Sequence, residues 1–128
     1  MNLIQLFTAV SITLSGAAFA ADGHNHAHEH KGLQGGVVAE ANHLDFELVA
    51  KPDNIRLFVR DHDKPLNVRE GSAKLTLLTG TDKFEVTLAP AGDALETKGT
   101  FAVTQGTKAV AVVSLPGKKV ATVRFVVQ

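Results

Sequence analysis

Residues 34–128 predict an all-β fold, an antiparallel immunoglobulin-like β-sandwich of about seven to eight strands, and three observations predict it. Apolar and polar residues alternate from Gly35 onward, as they do in strands with one buried face. Turn-forming residues recur about every eight to twelve positions. No stretch after the first twenty residues keeps a helical period. A small barrel is the alternative way to close such strands.

The elements follow in order. Val37-Val38-Ala39-Glu40-Ala41 reads as a short first strand. Residues 43–49 alternate with period two, setting Leu44, Phe46 and Leu48 on one face and His43, Asp45 and Glu47 on an outer, solvated face. Pro52-Asp53-Asn54 turns the chain into a strand with Ile55, Leu57 and Val59 inward and Arg56 and Arg60 outward. Asp63-Lys64-Pro65 breaks the pattern and leaves Asp61-His62-Asp63 in a loop. Leu75 and Leu77 alternate with Lys74 and Thr76, and Gly80-Thr81-Asp82 turns into Phe84, Val86 and Leu88, opposite Glu85 and Thr87. Pro90-Ala91-Gly92-Asp93 is the next turn, and residues 95–103 form a weaker strand broken by Gly99. Residues 110–115 and 120–127 flank Pro116-Gly117-Lys118 as a final hairpin. It is apolar on both faces, which predicts a central place in the sandwich rather than an edge.

Composition narrows the chemistry. Thirteen Lys+Arg balance thirteen Asp+Glu, so the chain lacks the basic excess of a general nucleic-acid binder. Cysteine is absent, which removes disulfides, thiolate metal sites, cysteine nucleophiles and a lipoprotein's lipid-bearing residue. Trp and Tyr are absent, and the single Met is Met1, so aromatic cages and a soft, Met-rich copper(I) site are excluded. Six His remain, and any metal chemistry must use imidazole and carboxylate.

Residues 1–20 read as an export signal. No charged residue occurs between Leu3 and Ala20, and Ala18-Phe19-Ala20 carries the small residues that a signal peptidase reads, predicting cleavage after Ala20. Only the amino terminus supplies positive charge to this segment. Export without cysteine suits a bacterial periplasm.

Residues 21–33 read as a flexible, disordered tail, with no apolar period to bury. His24, His26, His28 and His30 alternate within it. In an extended chain they project to one side about 6–7 Å apart, so neighbouring imidazoles can converge on one ion. Neutral imidazole suits zinc, copper(II), nickel and cobalt. A tail that must be ordered on binding predicts affinity on the order of micromolar. Loss of Ala21 would expose Asp22-Gly23-His24 as a square-planar copper(II) or nickel start.

Two further positions are candidate ligands on the folded part. His43, with Asp45 beside it on the outer face, can complete a zinc or copper(II) site begun by the tail, whereas Glu47 fits a solvated polar face. His62, in its loop between Asp61 and Asp63, is the second candidate. Gly35-Gly36 is a turn entering the first strand and lacks the helix that would make it a phosphate loop. No Gly-x-Ser-x-Gly, His-Glu-x-x-His or phosphate-loop motif occurs, so the reading is of a protein that is not an enzyme.

Several stretches together resemble a known family. These are Gly35-Gly36-Val37-Val38 after a His-rich start, residues 43–49, and residues 57–68, followed by Ala73-Lys74-Leu75-Thr76-Leu77-Leu78 and Leu88-Ala89-Pro90. In that order they resemble a small periplasmic domain of the adaptor (membrane-fusion) subunits of heavy-metal resistance–nodulation–division efflux systems, of the cobalt–zinc–cadmium and copper type, over about residues 30–128. The resemblance implies a His just before the Gly-Gly pair near a strand residue like His43. This chain has Gln34 there, with His30 four residues earlier.

The expected function is therefore a periplasmic protein that binds zinc, copper(II) or a similar divalent ion and buffers or delivers it in heavy-metal resistance and efflux. The alternative is a non-enzymatic β module that docks on an efflux pump or adaptor subunit, with the His tail incidental.

Overall fold

A computed structural model describes residues 32–128. Among them there is no helix, and nine strands account for most of these residues: β1 (Val37–Ala41), β2 (Leu44–Ala50), β3 (Asn54–Asp61), β4 (Lys64–Pro65), β5 (Ser72–Thr79), β6 (Asp82–Ala91), β7 (Ala94–Lys98), β8 (Lys108–Ser114) and β9 (Ala121–Val126). All pairings are antiparallel, in the order β1-β2-β3-β7-β6-β5-β8-β9, with β4 pairing the end of β3 on the edge opposite β2, beyond β7.

The connections make two overlapping Greek keys. The meander β5-β6-β7 lies with β3 beside β7 and β8 beside β5. β6 is the hinge of the architecture: residues 82–88 pair with β5, whereas Ala89, Pro90 and Ala91 pair with β7. One continuous strand thus joins both halves. At the far side β1 and β9 lie next to each other, and Asn42 Nδ2 donates to the Val120 carbonyl at 3.3 Å. The sheet is nearly closed, and the architecture is barrel-like rather than the two-sheet sandwich expected. Alternation along a strand is the same in both, because each buries one face only.

Four hairpins turn through two residues. Asn42-His43 and His62-Asp63 have positive φ at both positions (52° and 64°, 48° and 69°), the type I′ pattern that matches strand twist. Gly80-Thr81 and Gly92-Asp93 are positive at the first residue only. The expected turn at 90–93 therefore shrinks to Gly92-Asp93, with Pro90 inside β6. The expected break at 63–65 becomes a hairpin, since Lys64–Pro65 pairs with β3. The weak strand of 95–103 ends at Lys98.

The interior is filled by matching large against small across neighbouring strands. Leu75 faces Ala111, Leu77 faces Ala109 and Val113 faces Ala73 between β5 and β8. Ala109 faces Phe125, and Val113 faces Ala121, between β8 and β9. All of these are buried, and with Phe46, Leu48, Ile55, Leu57, Leu88 and Leu95 they form one core. Complementary volumes keep density high without strain. Ala111→Leu is expected to cost about 1–3 kcal/mol by overpacking against Leu75. Thermal unfolding followed by circular dichroism checks this, and an unchanged midpoint would show the space is there.

β8 and β9 do not occupy a central, doubly covered position. They bury alternate residues only, and β9 ends the hydrogen-bonded order. Their outer residues, expected to be buried, face outward, and Val112 and Val126 are exposed.

Candidate functional site

β2 places Leu44, Phe46 and Leu48 in the core and turns Asp45, Glu47 and Val49 to the outer face. Glu47 is not solvated there. It is 1% exposed, because residues 32–36 fold over it. Its Oε2 accepts from the backbone N–H of Gln34 at 2.8 Å and of Gly36 at 2.9 Å, and its Oε1 accepts from Arg60 Nη2 at 2.5 Å. The covering segment closes on itself through Gly35 N to Gly32 O at 3.0 Å and Gly32 N to Gly36 O at 3.3 Å. A β-carbon on Gly32 would overlap the Glu47 carboxylate, and one on Gly36 would overlap the Leu48 carbonyl oxygen. Close approach to β2 thus requires glycine at both positions. Gly32 and Leu33, expected in the tail, belong to this loop.

The charges on this face are matched. The Arg60–Glu47 pair is almost wholly enclosed, with side chains 11% and 1% exposed. Arg56 stacks over the Phe58 ring at 4.9 Å and lies 3.2 Å from Asp93 Oδ1. Arg56 Nε is 2.9 Å from Glu96 Oε2 but without hydrogen-bond alignment.

His43 and His62 both sit on hairpin tips rather than on a strand and in an open loop. The β2–β3 ladder ends at the Asp45–Arg60 pair, and His43 and His62 each lie two residues beyond it, in separate turns. The two tips therefore share one end of the barrel. His62 Nδ1 lies 2.6 Å from Asp61 Oδ1, and its side chain is 89% exposed. When Nδ1–H donates to Asp61, Nε2 is left as the free donor atom, the way a carboxylate orients a metal-binding imidazole. Asp45 stands beside Arg60 in the last pair of the ladder before the tips, where an arginine is its cross-strand neighbour. The expected common face for His43, Asp45 and Glu47 thus breaks up: one residue on a tip, one half-buried on the strand, one enclosed. Among the described residues no group of three or more His, Asp or Glu is arranged to hold an ion. His24, His26, His28 and His30 lie outside the described residues.

Sequence reasoning missed the role of Glu47. Two signals bear on it: a glycine pair eleven residues upstream, and Phe58 opposite Glu47 on the next strand, an apolar residue on a face assigned to water. Comparison of the chain with family models, curated proteins and solved structures gives no match.

Proposed function

We propose that the protein is an exported, periplasmic metal-binding protein that buffers or delivers a divalent ion, zinc or copper(II), in heavy-metal resistance. The observation that carries this reading is the spacing of His24, His26, His28 and His30. Four imidazoles at alternate positions offer several two-nitrogen contacts to one ion, and neutral imidazole is a ligand for both metals. The grip of Glu47 on residues 32–36 supports it. Gly32 is held against the Glu47 carboxylate, and His30 is two residues away, about 7 Å of extended chain at most. The imidazole-bearing segment thus joins the barrel next to Glu47.

His43 and His62 are the fixed contacts of this proposal. His62, with Nδ1 toward Asp61, has the better presented nitrogen, and Asp45 is a weaker candidate because of its place in the ladder. The folded part supplies single contacts, and the tail supplies the rest. The resemblance to the efflux adaptor domain supports the setting.

Titration calorimetry with zinc and with copper(II) tests the reading, on the chain starting at Ala21 and on one lacking residues 21–31. Micromolar binding to the first and a loss of at least a hundredfold in the second is the expected result. Equal binding by both overturns the tail's role, and no binding by either overturns the proposal.

A further inference from the structure

The two outer faces of the barrel treat their charges differently. On the β2–β3–β7 side, Arg56, Arg60 and Lys98 each lie within 4 Å of a carboxylate. On the β5–β6–β8–β9 side the register sets out three rows. Lys83, Leu78, Lys108 and Val126 form the first, Glu85, Thr76, Val110 and Arg124 the second, and Thr87, Lys74, Val112 and Thr122 the third. Four cations meet one carboxylate, and that one, Glu85, sits 3.5 Å from Lys74. Among the described residues Lys83, Lys108 and Arg124 have no acidic partner.

Apolar surface lies between these cations. Leu78, Val112 and Val126 are 39%, 40% and 46% exposed. A shallow groove of about 600 Å³ runs between Leu78, Lys83, Lys108, Val110, Arg124 and Val126. Lysine and arginine left unpaired beside exposed Leu and Val form a surface complementary to carboxylates set among apolar side chains.

We propose that this face docks an acidic segment of a partner protein, its carboxylates on Lys83, Lys108 and Arg124 and its apolar side chains on Leu78, Val110 and Val126. A second copy of the chain fits poorly, because a two-fold contact brings the same cations together. A lipid surface fits less well, because the apolar residues line a groove and no Trp or Tyr anchors the face. The surface lies on strands that do not carry His43 or His62, and the proposal does not rest on the metal-binding reading.

The test is photo-cross-linking in the cells that make the protein, with a photoreactive residue in place of Val126, followed by mapping of the captured peptide. The expected adduct is a partner segment in which Asp and Glu alternate or cluster with apolar residues. Its yield falls at least tenfold on Lys108→Glu with Arg124→Glu, which are exposed positions that leave the circular dichroism spectrum unchanged. Raised salt during cross-linking of the unreversed protein weakens the same adduct and gives a second readout that needs no charge-reversed variant. An adduct with phospholipid, with a second copy or with a segment poor in carboxylates overturns the proposal. So does a yield indifferent to charge reversal and salt, or the absence of any adduct.

Discussion

Glu47→Ala is expected to lower the thermal midpoint of the protein by on the order of 15–25 °C. The substitution removes one side chain and strands three donors: the N–H groups of Gln34 and Gly36 and the guanidinium of Arg60. Arg60 is then a nearly enclosed cation without its counter-charge. Breaking a buried pair from one side costs about 3–5 kcal/mol, and about 1 kcal/mol shifts a domain of this size by about 4–8 °C. The loop over β2 loses its hold as well, so the amides of Gln34 and Gly36 should exchange faster with solvent. Arg60→Met is the informative companion. It removes the cation and leaves the carboxylate its two backbone donors, so the loss should be smaller than for Glu47→Ala. Scanning calorimetry of both variants decides the matter. A midpoint within about 2 °C of the parent for Glu47→Ala would show that the carboxylate does not secure residues 32–36.

The second large effect concerns metal. Alanine at His24, His26, His28 and His30 together is expected to weaken zinc and copper(II) binding by about a thousandfold, from micromolar to millimolar, equivalent to about 4 kcal/mol. The reasoning is chelation: two or more imidazoles on one short segment share the cost of ordering, whereas His43 and His62 alone offer separate nitrogens on two tips. The metal-free thermal midpoint should not move, since the four imidazoles lie on a stretch with no apolar period to bury. Binding to the parent should weaken below about pH 6, because imidazole must be neutral to ligate and protons then compete with the ion. Calorimetric titrations at pH 7.5 and pH 5.5, conditions set about one unit either side of an ordinary imidazole midpoint, measure both effects. Unchanged affinity in the four-alanine variant would end the metal-binding proposal for the tail.

The strands were legible because one physical rule governs them. Leu44, Phe46 and Leu48, or Ile55, Leu57 and Val59, must face one way for the core to exist, and alternation records that directly. Closure was not legible, since the rule says nothing of which strands meet. β6 shows why: Pro90 reads locally as a turn, yet its missing N–H is tolerated inside a strand that changes partners there. The last hairpin misled in the other direction. Val110, Val112 and Val126 look like a second buried face, but their neighbours Lys108 and Arg124 keep that side outward. At the candidate site, His43 falls on the strand's alternation and so reads as part of the strand. The Asn42-His43 pair instead makes the turn, with Asn a familiar left-handed residue and His a rarer one. Glu47 was beyond local reading. What encloses it comes from a segment eleven to thirteen residues earlier, and only the fold brings the two together.

The pairing of bulky with slight side chains across β5, β8 and β9 has a consequence for how such a chain can change over generations. Leu75 and Ala111 are distant in sequence yet divide one fixed space, as do Ala109 and Phe125. A gain of bulk at one position demands a concession at its neighbour, so these residues should drift in couples, each pair conserving a sum while its members vary.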